Sequence, residues 1–133
     1  MRAVTGPLQT GTYVVEIVDY PGEFVAVDND VSKFAFTEST SAKWHFERIS
    51  NDLYRCKYMS LNVSPIILPG MNVGISNEMT HEWIVKETDV KGEYSSAPAQ
   101  HPTLFVSVAK DQGEMRVNAG SRMSRVHLFY PDN

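Results

Sequence analysis

The side chains with the greatest chemical potential in this chain are four histidines, one cysteine and several acidic residues. The histidines do not form an H-x-x-x-H or H-E-x-x-H pair, and one thiol cannot complete a thiolate zinc site. The G-x-S-x-G pattern of a serine nucleophile and the phosphate-binding patterns G-x-G-x-x-G and G-x-x-x-x-G-K-[ST] do not occur. The sequence therefore predicts no metal site, no cofactor and no enzymatic activity.

Two further candidates for chemistry have simpler explanations. Asp28 and Asp30 could act as a general acid and base, but they lie in "DNDVS", whose composition is typical of a turn. Cys56 lies in the alternating segment "YRCKY", where we expect a buried and unreactive thiol. A single cysteine allows no internal disulfide, so we expect burial of apolar side chains to stabilise the fold.

Length and charge limit the function classes further. The 133 residues fit one domain, and 42% hydrophobic and 21% charged residues are ordinary for a soluble globular protein. The net charge is −4, and no run of lysine or arginine exceeds two residues. Because a phosphate-binding surface needs clustered positive charge, we expect no nucleic-acid partner.

The same sequence predicts no contact with a membrane. No stretch approaches the roughly 18 apolar residues of a membrane span, and residues 1–13 lack the apolar core of a signal peptide. We therefore expect a cytoplasmic location.

Apolar and polar residues alternate with period two along most of the chain, as in "TYVVEIV" (12–18) and "KWHFERI" (43–49). Turn-forming stretches such as "DYPGE" and "STSA" separate these segments. No unbroken window of about a dozen residues has the apolar spacing of an amphipathic helix. The sequence predicts an all-β protein with twelve strands, at 12–18, 24–27, 33–38, 43–49, 53–59, 64–69, 72–76, 82–88, 92–96, 103–109, 114–119 and 125–131.

One phrase of the sequence occurs twice. The segments "SAKWHFERIS" (41–50) and "THEWIVKETD" (80–89) each place an apolar residue two positions after a tryptophan, and Trp44 and Trp83 are 39 residues apart. A weaker third copy has Val126 at this position, 43 residues after Trp83. The repeated strand is therefore expected to belong to the core, with both indoles pointing inward.

A period near 40 residues with four strands in each repeat predicts a β-trefoil, a six-stranded barrel capped by three hairpins. Three repeats are too few for a propeller. We expect a single domain over residues 1–133, with pseudo-repeats at about 11–50, 51–89 and 90–131. A β-sandwich or another barrel is the alternative fold.

Three segments resemble the mushroom β-trefoil protease inhibitors: "LQTGTYVVEIVDYPGEFVAV" (8–27), "EWIVKET" (82–88) and "RVHLFYP" (125–131). The resemblance is to the cospin-like serine-protease inhibitors and, more distantly, to the clitocypin and macrocypin cysteine-protease inhibitors. It implies a disulfide-free protein that inhibits a protease by presenting a rigid surface loop to the active site. Affinity then comes mainly from pre-organisation, because the loop loses little freedom on binding.

The resemblance also implies three candidate reactive segments. In cospin-like members the loop between the second and third strands binds the protease; here Lys33, or else Asn29, would enter the primary pocket. The full candidate set of that loop is Asp28, Asn29, Asp30, Val31, Ser32 and Lys33. Clitocypin-like members use the first inter-strand turn, which corresponds to Pro21 and Gly22. Some members use an exposed asparagine beyond the fifth strand against asparagine-specific proteases, and Asn62 matches that place.

A carbohydrate-binding trefoil used in defence is the alternative function, with glycans as partners. The Q-x-W signature of ricin-type lectins is missing, because Ala42 and His81 stand where glutamine would precede the tryptophans. Sugar sites of other designs stay open. The segment 90–102, "VKGEYSSAPAQHP", is the longest segment poor in strand signal, and we expect it to form an ordered but exposed connection.

Overall fold

A computed structural model describes residues 1–30 and 32–132, and these residues form strands and turns with no α-helix. A single 3-10 turn spans Pro69–Met71. Within the described residues there are thirteen strands: β1 (Arg2–Ala3), β2 (Gly11–Ile17), β3 (Phe24–Asp28), β4 (Lys33–Thr37), β5 (Trp44–Ser50), β6 (Leu53–Tyr58), β7 (Ser64–Ile67), β8 (Val73–Ser76), β9 (Glu82–Glu87), β10 (Tyr94–Pro98), β11 (Phe105–Asp111), β12 (Glu114–Gly120) and β13 (Val126–Tyr130).

The all-β prediction is confirmed, and each predicted strand corresponds to a strand from β2 to β13. The predicted count of twelve strands is wrong for the described part of the chain, because β1 is a thirteenth strand. It pairs antiparallel with β13 through Arg2↔Tyr130 and Ala3↔Phe129. Both β1 residues are exposed, so apolar alternation could not reveal this strand.

Six strands form a closed ring of antiparallel pairs. The order of pairing is β2–β5–β6–β9–β10–β13, and β13 pairs back to β2. The last contact joins Val126 to Ile17 and Leu128 to Val15, so the end of the chain closes on the first long strand. Because each ring strand has a partner on both sides, the ring leaves no unpaired edge.

The other long strands form three hairpins, β3–β4, β7–β8 and β11–β12. Each hairpin lies in sequence between two ring strands, so the order of ring strand, hairpin and ring strand occurs three times. The hairpins also contact one another: residues of β12 pack against both β4 and β8, and an isolated bridge joins Asn72 to Asn118.

Both repeated tryptophans are core residues, as predicted, with exposed fractions of 4% for Trp44 and 3% for Trp83. Their indole N–H groups make equivalent bonds: Trp44 donates to the carbonyl of Val25 at 2.9 Å, and Trp83 to that of Pro65 at 3.3 Å. Each bond therefore ties a ring strand to the first strand of the hairpin that precedes it. Val126, at the third position, is half-buried and packs against the same core.

Three buried tyrosines hold the segment 6–9 against the ring. Tyr13, Tyr54 and Tyr94 belong to β2, β6 and β10, and their hydroxyls donate to the backbone carbonyls of Gln9, Leu8 and Gly6 at 2.6, 2.5 and 2.5 Å. Burial raises the pKa of Tyr94 to about 12, and it also raises the pKa of Tyr13 and Tyr54.

The strand predicted at 92–96 is β10, but the expectation that the segment 90–102 forms an exposed connection is wrong. Residues 94–98 form β10, which pairs with β9 along its whole length and with β13 at Tyr94. Tyr94, Ala97 and Pro98 are buried. Tertiary pairing overrides the loop-like composition of alanine, serine and proline in this segment. Across residues 1–30 and 32–132, no helix has the length and apolarity needed to cross a membrane.

Candidate functional site

The Pro21 turn, residues 18–23, connects β2 to β3 and has its tip at the surface. Pro21 and Gly22 are exposed, and Gly22 has φ = 80°, which glycine adopts without steric cost. The backbone N–H groups of Tyr20 and Glu23 donate to carbonyls near the turn at 3.0 and 3.1 Å. A Cβ placed on Gly22 would meet no atom within 4 Å, so the tip has room for a side chain.

Side chains on the inner side of the Pro21 turn join it to neighbouring strands. The Tyr20 ring packs edge-to-face on Phe36 of β4, with ring centroids 5.2 Å apart, and its hydroxyl accepts the backbone N–H of Lys110 at 3.0 Å. The ammonium group of Lys110 pairs with Glu23 and lies 5.2 Å from the centroid of the Tyr20 ring. An exposed tip is thus held by a fixed base, which is the arrangement that lowers the entropic cost of binding.

Glu16 adds a second support, and this one extends beyond the Pro21 turn. One of its carboxylate oxygens accepts the N–H of Gly22 at 2.9 Å, and the other lies 2.8 Å from Nδ1 of His127. Nε2 of His127 lies 3.7 Å from a carboxylate oxygen of Glu93. The chain of contacts therefore connects the Pro21 turn to the turn between β9 and β10.

A second short repeat of the sequence marks the two turns that this chain of contacts connects. The segments "DYPGEF" (19–24) and "DVKGEY" (89–94) share an aspartate, a glycine, a glutamate and an aromatic residue at the same spacing. Gly92 has φ = 84°, close to that of Gly22, and its N–H also donates to a carboxylate, that of Glu87 at 2.8 Å. The sequence reasoning identified Pro21 and Gly22 but missed the anchoring residues Glu16, Tyr20, Glu23 and Lys110.

Hydrogen bonds from backbone N–H groups also affect the ionisation of Glu87, beside the turn between β9 and β10. The carboxylate of Glu87 accepts the N–H of Gly6 at 3.0 Å as well as that of Gly92. Both bonds favour the ionised form, and they lower the pKa of Glu87. Gly92 is buried, in contrast to Gly22, so this turn presents less of its backbone to solvent.

The candidate loop 28–33 forms the tip of the β3–β4 hairpin. Asp28 and Lys33 are opposite each other in the strand register, so Lys33 begins β4 and is not part of an extended loop. The carboxylate of Asp28 accepts the N–H of Asp30 at 3.0 Å, which closes the turn. Val31 lies outside the residues that the structure describes. The remaining candidates of the loop are all exposed: Asp28, Asn29, Asp30, Ser32 and Lys33.

Asn62 lies in the turn between β6 and β7, away from both other candidates in sequence. Its backbone has φ = 56°, its N–H donates to the carbonyl of Tyr58 at 2.9 Å, and the residue is exposed. The three candidate segments thus belong to three different turns.

The other histidines described and the cysteine make structural contacts or are buried. His81 accepts the backbone N–H of Ile67 at 2.9 Å through Nδ1, and His45 lies 3.4 Å from the hydroxyl of Thr12. Cys56 is buried as predicted, and burial raises the pKa of its thiol to about 12. Among the described residues there is no group of three histidine, cysteine or acidic side chains that could hold a metal ion.

No protein-family model matches the chain, and no match is found among curated proteins.

Proposed function

We propose that this protein is a protease inhibitor built on a β-trefoil scaffold, and that the Pro21 turn is the segment it presents to a protease. The closed ring of six strands and the three hairpins support the trefoil arrangement. The equivalent bonds of Trp44 and Trp83, from a ring strand to a hairpin strand, support the same threefold relation.

The observation that carries the proposal is the combination of exposure and anchorage in the Pro21 turn. Pro21 and Gly22 are exposed, while Tyr20, Glu23 and the N–H of Gly22 each have a fixed partner. A segment that is ordered before binding loses little conformational entropy in the complex, and this raises affinity without additional contacts.

The shape of the turn favours obstruction of a protease cleft over imitation of a substrate. Hydrogen bonds reverse the chain direction at Tyr20 and Glu23, so the segment cannot extend along a substrate-binding groove while the turn is intact. The clitocypin-like route, in which a glycine-containing turn occludes a cysteine-protease cleft, matches this geometry. Lys33 is less suited to a trypsin-type pocket because it belongs to β4.

Inhibition assays against trypsin, papain and an asparaginyl endopeptidase test the proposal and separate the three routes. We expect papain to be inhibited at micromolar protein. This inhibition is expected to survive Lys33→Ala and Asn62→Ala and to weaken at least tenfold in Gly22→Asn. Asparagine tolerates positive φ, so this variant adds a side chain at the tip while keeping the backbone.

Gly113→Asn is the matched control, since Gly113 has φ = 81°, is exposed, and has open space around an added Cβ. Equal loss of inhibition in both glycine variants would contradict the proposal. Trypsin inhibition abolished by Lys33→Ala would move the reactive site to residues 28–33. Glycan binding on an array without inhibition of any protease would favour the carbohydrate alternative instead.

A further inference from the structure

A cleft of about 850 Å³, the hairpin cleft, opens where the three hairpins meet. Its walls come from the start of β4, from residues 68–75 around the 3-10 turn and β8, and from residues 115–122 of β12 and the segment that follows. All three hairpins therefore contribute to it. The volume falls in the range of sites for small organic ligands, which is roughly 300–1,000 Å³.

The charged groups of the hairpin cleft are cationic. Lys33, Arg116 and Arg122 line it, and none of its described lining residues is an aspartate or a glutamate. Arg116 is already shared between Asp111 and Glu114, each at 3.6 Å. The excess positive charge therefore comes from Lys33 and Arg122.

Neither Lys33 nor Arg122 forms an ion pair within residues 1–30 and 32–132. Asp28 is opposite Lys33 in the hairpin register, and its carboxylate accepts the N–H of Asp30 and forms no ion pair with Lys33. The protein as a whole is acidic, with a net charge of −4, so its overall composition does not account for the positive charge of this cleft.

The base of the hairpin cleft is apolar. Phe34, Val73, Met115 and Val117 line it, and the same four residues border a second cavity of about 120 Å³ inside the ring. The other lining residues include amides and hydroxyls, among them Asn72 and Asn118, as well as further apolar side chains. The cleft thus combines cationic groups, neutral hydrogen-bonding groups and an apolar base.

We propose that the hairpin cleft binds a small organic anion, with its carboxylate, phosphate or sulfate group held by Lys33 and Arg122 and its apolar part on Phe34 and Val73. Lysine and arginine both donate charge-assisted hydrogen bonds to such groups. The apolar base supplies burial for a ring or short alkyl body, which a fully hydrated inorganic anion cannot exploit. This site is separate from the Pro21 turn, and its occupation does not depend on protease inhibition.

The test is a calorimetric titration of the protein with phenyl phosphate, beside inorganic phosphate and the neutral phenyl β-glucoside. We expect saturable binding of phenyl phosphate with a 1:1 stoichiometry, at least tenfold tighter than that of either comparison compound. Affinity is expected to fall at high salt, since exposed charges are screened. Equal affinity for the glucoside would overturn the anion assignment, and equal affinity for inorganic phosphate would overturn the role of the apolar base.

Variants locate the site. Lys33→Gln combined with Arg122→Gln is expected to weaken phenyl phosphate binding at least tenfold. The control, Lys57→Gln combined with Lys86→Gln, removes the same charge from exposed positions on ring strands, and we expect it to change the affinity less than twofold. If both pairs of substitutions weakened binding equally, the ligand would respond only to the overall charge of the protein, and the proposal would be overturned.

A steric variant gives an independent readout. Gly120 lines the hairpin cleft, and a Cβ added there would meet no atom within 4 Å. Gly120→Leu should therefore fill part of the cleft, weaken binding at least fivefold and leave the thermal midpoint within about 2 °C of that of the original protein. Unchanged affinity in this variant would place the ligand elsewhere and sink the proposal.

Discussion

The segment 6–9 offers a quantitative test of the packing at one end of the ring. Leu8 is only 1% exposed and packs with the aromatic core, while its carbonyl accepts the hydroxyl of Tyr54. Truncation of a buried leucine to alanine costs about 2–5 kcal/mol, through lost transfer free energy and the cavity that remains. For a domain of this size each kcal/mol corresponds to roughly 4 °C in thermal midpoint, so Leu8→Ala is expected to lower it by on the order of 10 °C.

Tyr54→Phe probes the same segment through a hydrogen bond. The substitution keeps the ring but leaves the buried carbonyl of Leu8 without its donor, at a cost of about 1–3 kcal/mol. Urea unfolding followed by circular dichroism measures both variants. Gln9→Ala is the control, because Gln9 is exposed and contributes only its backbone carbonyl, so we expect a change within about 0.5 kcal/mol. If Leu8→Ala were as mild as Gln9→Ala, the segment would not be packed in solution and the reasoning would fail.

Three further outcomes follow from the contacts described. Because the pKa of Glu87 is lowered, its carboxylate stabilises the fold above the ordinary glutamate pKa, and this contribution is lost as pH falls through the lowered value. The unfolding free energies at pH 7 and pH 3 should therefore differ less in Glu87→Gln than in the original protein. An unchanged difference would contradict the role of Glu87. Cys56, with a pKa of about 12, should not react with a thiol reagent at pH 8 until the protein unfolds, and immediate reaction would contradict its burial. Gly74→Ala would place a Cβ 2.5 Å from Cδ1 of Leu68, but Leu68 is 39% exposed and its side chain can rotate away. We therefore expect a loss of no more than about 0.5 kcal/mol by urea titration, and a loss above about 2 kcal/mol would show that the Leu68 side chain is held in place.

The sequence was most informative where the signal is local. Period-two alternation located β2 to β13 to within about two residues, because each strand buries one face against the core. The tryptophan repeat identified two core residues, since Trp44 and Trp83 stand at like points of a structural repeat. β10 was located as a strand, but the segment 90–102 that contains it was wrongly expected to be exposed, because its burial depends on pairing with β9 and β13, which composition does not encode.

The candidate site was predicted only in part, for a physical reason. Pro21 and Gly22 could be recognised because a turn needs residues of this kind. Their anchorage could not, because Tyr20 contacts Lys110 and Glu16 contacts His127, pairs that are 90 and 111 residues apart. The hydrogen bonds from the tyrosines to the segment 6–9 were not predicted for the same reason, although Tyr13, Tyr54 and Tyr94 recur at a spacing near that of the tryptophans. Local patterns show where a turn lies, and only the folded chain shows how firmly it is held.

A crystal structure of this protein bound to papain would test the central claim most directly. We expect Pro21 and Gly22 inside the active-site cleft, the Pro21 turn unchanged to within about 1 Å, and Tyr20 still accepting the N–H of Lys110. A complex made through residues 28–33, or one in which the Pro21 turn unfolds to bind as an extended strand, would contradict a pre-organised turn as the inhibitory element.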